Sequence, residues 1–382
     1  MAEYRVITPV DVLFLRGNRL FGGAGEHGES QVPPWPSVFA GAMASRILSD
    51  KGKIGEIAKK PDKAQPILNE VAGEKYGCVF LALTLQNKTY LPLPGDLVAL
   101  ESDGGEVLLF SLSPTSVPDG LKASNPLPMI PVLRANERKK PISGLWLDLE
   151  GWKEHLKGNL PQSSSLARQS ELWKVDSRLG IARDYHTKTA EEGRIYTTEG
   201  IALEKGCAFL VGYEGNDIPK DGLLRLGGDG RGAVIEPCDG MDTPKNVGKP
   251  GDGWPGFRMI LITPGIFPEG WLPPGCSREN GKILLNFNGL EAELMAVAMG
   301  RYEVVSGWDL AKHEPKPARK VVPAGSVYWF KVLEGDTSEL IPLWENSLYS
   351  AVSGELDSEW MVRRREGFGR VWFGVWNVKG EV

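Results

Sequence analysis

The stretch Phe21–Ser30, FGGAGEHGES, gathers four glycines, two glutamates, a serine and a histidine. Gly23 to Ser30 has the spacing of a phosphate-binding loop: glycine, four residues, glycine, one residue, serine. That loop needs a lysine before its hydroxyl residue to neutralise terminal phosphates. Glu29 stands there and would repel them. Gln31-Val32-Pro33-Pro34 also cannot begin the helix that completes such a cradle. Nucleotide hydrolysis at this loop is excluded. A second glycine run, Gly228, Gly230 and Gly232, is spaced G-x-G-x-G with no helical pattern after it, so the dinucleotide fingerprint fails as well.

His27 is the residue best placed for acid–base work, since a loop histidine serves as general base in metal-independent RNA cleavage. The competing reading is a loop histidine that touches phosphate or solvent. The other histidines, 155, 186 and 313, lie in separate segments without metal-ligand spacing. Cys78, Cys207, Cys238 and Cys276 show no short paired spacing, which argues against both a disulfide framework and a zinc site. No nucleophile elbow or clustered carboxylates appear, so neither a catalytic set nor a cofactor is expected.

Bare glycine amides suit a phosphodiester backbone. Gly23 and Gly25 offer them, and Arg16, Arg19 and Arg46 stand near in sequence to supply charge. Ser37 reads as the N-cap of a helix over Val38–Leu48, adding N-terminal donors. Three basic segments, Arg134–Lys140, Lys312–Lys320 and Arg363–Arg370, each set four cations against one carboxylate. The net charge of −5 excludes a general basic coat and points to a local groove.

The elements that position these residues follow from pattern. Tyr4–Arg16, Cys78–Leu85, Lys88–Leu93, Glu106–Ser113, Ile195–Leu203, Cys207–Tyr213, Leu223–Leu226, Phe257–Thr263, Ser326–Val332 and Val371–Trp376 read as strands. Leu149–Lys157 and Leu290–Ala298 read as helices. Glu236–Trp254, dense in Gly, Pro and Asp, reads as a linker with little to bury. The expectation is an α+β chain of two ferredoxin-like, RRM-related domains with glycine-rich loops and long insertions. Residues 1–238 form the first, 239–255 the linker and 256–382 the second. The chain is 41% hydrophobic, with no export pattern at its start and no apolar run near the ~20 residues of a membrane helix, so a soluble, cytoplasmic protein without a membrane partner is expected.

Four stretches taken in order resemble one family. They are Asp11–Phe21 with its glycine loop; Pro33–Gly41 (PPWPSVFAG); Arg178–Ile201 with Leu224–Ala233 (LRLGGDGRGA); and Ser306–Asp309, Pro323–Tyr328 and Glu366–Val371 near the end. The sequence is similar to the third subunit of the Cmr (type III-B CRISPR) effector complex, in the RAMP superfamily. The resemblance spans Asp11 to Val371 and implies a recognition subunit without catalysis of its own. It implies contact with the repeat-derived 5′ handle of the crRNA, and a bridge between the large polymerase-like subunit and the backbone RAMP subunits. Target RNA would then be read indirectly, by guide pairing.

Charge, glycine placement and the layout of that family together give the expected RNA contacts. They are Arg16, Arg19, Gly23, Gly25, His27, Ser37, Arg46, Arg134, Arg138, Arg178, Arg183, Arg364, Arg365, Gly367 and Gly369. Two alternatives stay open: a crRNA-processing endoribonuclease with His27 as base, and a scaffold that touches protein alone.

Overall fold

The computed structural model describes residues 2–15, 27–28, 32–118, 120, 127–135, 139–351 and 358–378. The chain groups into two compact units built from interleaved segments. Met1–Asn87, Gln169–Met241 and Val304–Arg319 make the first; Lys88–Arg168, Asp242–Glu303 and Lys320–Val382 make the second. This grouping differs from a division at 238 and 256, because Lys88–Arg168, from the first half of the chain, packs as part of the second unit.

In the first unit five strands run side by side, all antiparallel. Their order is Gly77–Leu85, Cys207–Glu214, Glu3–Pro9, Gly232–Pro237 and Gly222–Arg225. The opening strand is shorter than its sequence pattern: it ends at Pro9, and Leu13 rejoins the fold through a single bridge to Ile201. The Pro36–Asp50 helix buries Phe39, Met43 and Ile47, one side chain per turn. Pro36 opens it, and Trp35 holds the cap position without a side-chain bond. Ser37 therefore sits inside the first turn and is not the N-cap. The helix is fixed to the sheet by the Tyr213 hydroxyl, which donates to the Phe39 carbonyl at 3.0 Å, and by the Phe39 and Phe209 rings, 4.9 Å apart.

The second unit carries a six-stranded antiparallel sheet. The order is Cys276–Glu279, Lys282–Phe287, Leu290–Ala298, Val327–Glu334, Gly256–Leu261 and Val371–Val375. Leu290–Ala298, expected as a helix from its Leu, Glu and Ala content, is a strand. It is bonded on both edges and buries Leu290, Ala292, Leu294, Ala296 and Ala298, so alternation toward the core overrides local propensity. Glu293, buried in the same strand, meets Lys282 at 2.9 Å. The stretch expected as a linker is packed. Val247 is buried, its carbonyl accepts from the Trp344 indole at 2.9 Å, and the Gly248 carbonyl accepts from Phe373 N at 2.8 Å. Gly248 has φ +69, and a Cβ there would run into Trp372. The glycines of this segment thus permit close approach, which composition alone reads as looseness.

Both units place their strands in one order. The first strand lies centrally between the third and fourth of a set of four, with the second outside the third. Glu3–Pro9 sits between Cys207–Glu214 and Gly232–Pro237, with Gly77–Leu85 beyond. Gly256–Leu261 sits between Val327–Glu334 and Val371–Val375, with Leu290–Ala298 beyond.

The central strand of the second unit holds a buried charge. Arg258 Nη1 lies 2.8 Å from Asp96 Oδ2 and 2.9 Å from His155 Nε2, and Nη2 donates to the His155 carbonyl. His155 Nε2 is 2.8 Å from Asp96 Oδ1. His155 belongs to the Leu149–Leu156 helix, which is capped by Asp148 Oδ1 accepting from Gly151 N at 2.8 Å. Trp152 of this helix packs edge-on against Trp372 at 5.3 Å. Burial alone would raise the Asp96 pKa, but His155 and the Arg258 guanidinium outweigh it and hold the carboxyl at about 2. Burial pushes the His155 imidazole below its ordinary value; Asp96 opposes the shift and Arg258 adds to it.

Two outcomes follow for stability. Asp96→Asn strands the Arg258 cation in the interior and should cost about 3–5 kcal/mol, read as a large fall in the urea midpoint; a cost below about 1 kcal/mol would contradict this role. The pH dependence has two windows. His155 has a lowered folded pKa, so the unfolded chain binds the extra proton below about 6.5 and stability falls as pH drops from there. Asp96 adds a further decline between about 4 and 2, as its carboxylate is protonated. Melting curves of His155→Gln should show a shallower decline between pH 7 and 5 than those of the parent chain.

Candidate nucleic-acid interface

The most exposed element of the first unit is a two-stranded ribbon. Trp173–Arg183 pairs antiparallel with Ala190–Leu203, from Trp173 opposite Leu203 to Ile181 opposite Ile195. Period-two alternation divides its faces. Val175, Leu179, Ile181 and Ile195 share one face with Thr197 and are each at least half exposed, Leu179 most at 71%. The other face carries Lys174, Asp176, Arg178, Thr198 and Tyr196, whose ring lies across Gly180 where any Cβ would collide. An apolar face on an exposed ribbon needs a covering surface.

The strand His27–Gly28 joins the ribbon in parallel, with His27 beside Thr197 and Gly28 beside Thr198, which itself pairs with Arg178. Residues far apart in sequence are thereby placed in one sheet. Arg178 keeps its side chain partly exposed while Nη2 meets Asp176 at 2.7 Å. Arg183 donates through Nε and Nη2 to the Lys188 carbonyl at 3.1 and 3.0 Å, which fixes the turn. Within that turn Asp184 Oδ1 accepts from His186 N, Thr187 N and the Thr187 hydroxyl at 2.7–2.9 Å. The Thr187 bonds hold its carboxyl below the usual range, with His186 N adding to the effect. Tyr185 projects from the tip, 79% exposed, with Lys188 Nζ 4.2 Å above its ring.

The base of the ribbon is built from the segments that flank it. Leu13 and Ile201 exchange backbone bonds at 2.9 and 2.8 Å. Gly200 lies under Val12, with no room for a side chain. The Phe14 carbonyl accepts from Gly228 N at 2.7 Å, and Gly227, at φ +74, has that carbonyl where a Cβ would stand. Arg231 crosses this junction, bonding Asp11 at 3.0 Å with its guanidinium 4.9 Å from the Phe14 ring centre. The glycine run that failed as a nucleotide fingerprint serves here as a close-packed turn under the interface.

The remaining expected contacts divide sharply. Arg16, Arg19, Gly23, Gly25 and Arg138 lie outside the described residues. Arg46 is held by Asp50 at 2.8 Å and by the Leu223 carbonyl. Arg134 is exposed and belongs to the second unit, so it is no part of the ribbon. Arg364 is bonded to Asn346 at 3.1 and 3.0 Å, and Arg365 is buried where an exposed contact was expected. Gly367 and Gly369, at φ +89 and +68, form a turn whose Gly369 N and carbonyl bond Pro264 and Leu348. The ribbon's Tyr185, Lys188 and Tyr196, and Arg231 at its base, were not singled out from sequence. Arg231, inside GGDGRG, carried the one legible signal.

Chemically, this surface can hold phosphates through arginine and lysine and stack bases on tyrosine. Among the described residues no group of three or more metal-ligating side chains occurs. Nor is any helix among them long and apolar enough to cross a membrane.

Comparison with known proteins gives the setting. No curated protein matches the chain. Two solved structures match nearly all of it. One is a chain from the type III-B Cmr-beta bound to cognate target RNA and AMPPnP, with TM-score 0.53 and 14% identity over 97% of this chain and 98% of that one. The other, from Cmr-beta bound to cognate target RNA, has TM-score 0.52 and 14% identity over 97% and 96%. At this identity they establish the likeness of fold. The CRISPR-associated protein (Cas_Cmr3) profile matches residues 5–376, and on that coverage the chain belongs to the Cas_Cmr3 family.

Proposed function

We propose that this subunit of a type III-B CRISPR effector binds the repeat-derived 5′ handle of the crRNA, without catalysing cleavage. It also joins the large polymerase-like subunit to the backbone RAMP subunits as the third subunit of the complex. The observation that carries the handle reading is the register that sets Gly28, the last glycine of the FGGAGEHG stretch, beside Thr198 and so in one three-stranded sheet with Arg178. By sequence the stretch before Gly28 is rich in glycine, and the ribbon is edged with cations and aromatics, a combination suited to single-stranded RNA. The apolar face of the ribbon supports a bridging role, since it presents several half-exposed aliphatic side chains.

Each unit reads as a ferredoxin-like frame of the RAMP type. The strand order is the same in both, and each retains one helical connection: Pro36–Asp50 between first and second strands in one, Ile341–Asn346 and Ser358–Arg365 between third and fourth in the other. Thr197 and Thr198, the register partners of His27 and Gly28, carry no group that titrates near neutral pH, which favours recognition over processing.

The test is a gel series with crRNA carrying an intact or scrambled handle, using the purified chain alone and with the large subunit. Handle-dependent retardation without new fragments is expected. Arg178→Ala with Arg183→Ala should weaken it several-fold and reduce the salt slope by about 0.7 for each phosphate no longer neutralised. Fragments that vanish in His27→Ala would establish the nuclease instead, and equal retardation of both RNAs would leave a scaffold.

A further inference from the structure

The basic segment that begins at Lys312 has no part in the ribbon. Its first residues lie in a short hairpin, Trp308–Asp309 paired with Glu314–Pro315, turned by Asp309 Oδ1 accepting from Ala311 N and Lys312 N at 3.0 and 3.1 Å. His313 takes φ +55 to close the turn. Ala311 points inward and packs on Leu48, Ile57 and Ile67, the cluster that ties the Pro36–Asp50, Ile54–Lys59 and Ala64–Ala72 helices together. Ala64 packs on that same cluster. Lys312 and Lys63 are thus each one residue from a side chain seated on a common core. Two segments about 250 residues apart in sequence form one surface.

The charge of that surface is opposite to that of the chain. Residues 51–63 hold five lysines against Glu56 and Asp62, and residues 308–319 hold two lysines and an arginine against Asp309 and Glu314. Lys51 pairs with Asp217 at 2.8 Å and Lys53 with Glu56 at 3.4 Å. Lys59, Lys60, Lys63 and Lys312 are exposed, and among the described residues no carboxylate pairs with them. The hairpin also presents large apolar groups to water: Trp308 at 55% and Leu310 at 65% exposure. Four exposed lysines without a carboxylate partner among the described residues, on segments that share one core with a hairpin bearing an exposed indole, give a local anion-binding face on a chain of net charge −5.

We infer that this face, carried by residues 51–63 and the Trp308–Pro315 hairpin, is a second binding surface, for the backbone of single-stranded RNA, with Trp308 as a stacking platform. Single-stranded RNA fits better than an acidic protein for two reasons. The cations are lysines on flexible stems, which track phosphates as point charges and are depleted in protein interfaces. The exposed apolar groups are few, Ile54, Trp308 and Leu310, and include an indole suited to sequence-tolerant stacking. The inference stands apart from handle recognition, because it requires neither the ribbon nor any particular sequence.

The test uses the full chain and a labelled 15-nucleotide RNA of mixed sequence that lacks the handle, followed by fluorescence anisotropy across a salt series. Lys59→Ala/Lys60→Ala/Lys63→Ala should weaken binding about tenfold and reduce the magnitude of the log–log salt slope by about 2, since single strands contribute about 0.7 for each phosphate neutralised. Trp308→Ala should weaken binding several-fold with the salt slope unchanged, because stacking releases no counterions. Arg178→Ala on this handle-free RNA should change little. Unchanged affinity and slope in the triple variant would overturn the inference. So would a triple variant that binds RNA normally but no longer captures the large subunit, which would assign the face to an acidic protein surface. A chain that prefers no handle, yet whose triple variant fails to bind handle-free RNA, would reject handle recognition and retain this surface.

Discussion

A guanidinium in the middle of a buried strand is the constraint around which the second unit is organised. Arg258 lies on Gly256–Leu261, which is hydrogen-bonded on both edges, and its guanidinium is buried. A cation so placed requires a carboxylate and further acceptors, or the strand would not stay buried. Asp96 supplies the carboxylate and the end of the Leu149–Leu156 helix supplies a carbonyl and an imidazole. A loop, a helix and the central strand are thereby held at one point. Around that point the apolar packing follows: Trp152 on Trp372, Phe257 stacked on Phe330 at 5.1 Å, and Gly374 bare beneath the helix end.

The first unit solves a different problem. Its central strand buries Arg5 against the Pro219 carbonyl within an otherwise largely apolar sheet core, while its ribbon sends two long strands away from that core. The ribbon is anchored where glycines allow backbones to approach, at Gly200 under Val12 and at Gly227 over the Phe14 carbonyl. Such anchoring leaves the outer ribbon free of the core's packing demands, so its side chains can be chosen for a partner. The exposed aliphatic face, Tyr185 at the tip and the arginines along the strand are what that freedom permits.

The two units share a strand order without a visible sequence repeat. Order in an antiparallel sheet is set by which edges are bonded and which faces are buried, and many sequences satisfy the same alternation. The same reasoning accounts for full-length likeness to Cmr-beta chains at 14% identity. Fold survives where residue identity does not.

Much of this architecture was legible in the residues themselves. Alternating or continuous apolar runs such as Cys207–Tyr213 and Phe257–Thr263 marked strands correctly, because hydrophobic period is a local property. Ordered motifs from Asp11 to Val371 carried the family. What sequence could not determine was long-range. Leu290–Ala298 has helix-forming composition and became a strand only because two neighbours bond its edges. The arginines of Arg363–Arg370 looked like a surface cluster, yet burial of Arg365 and bonding of Arg364 turn them inward. Tertiary structure alone brought Gly28 to Thr198, Asp96 to Arg258, and Ala64 and Ala311 onto one core. Spacing along a chain carries local geometry; which charges meet is decided by packing, and packing is a property of the whole fold.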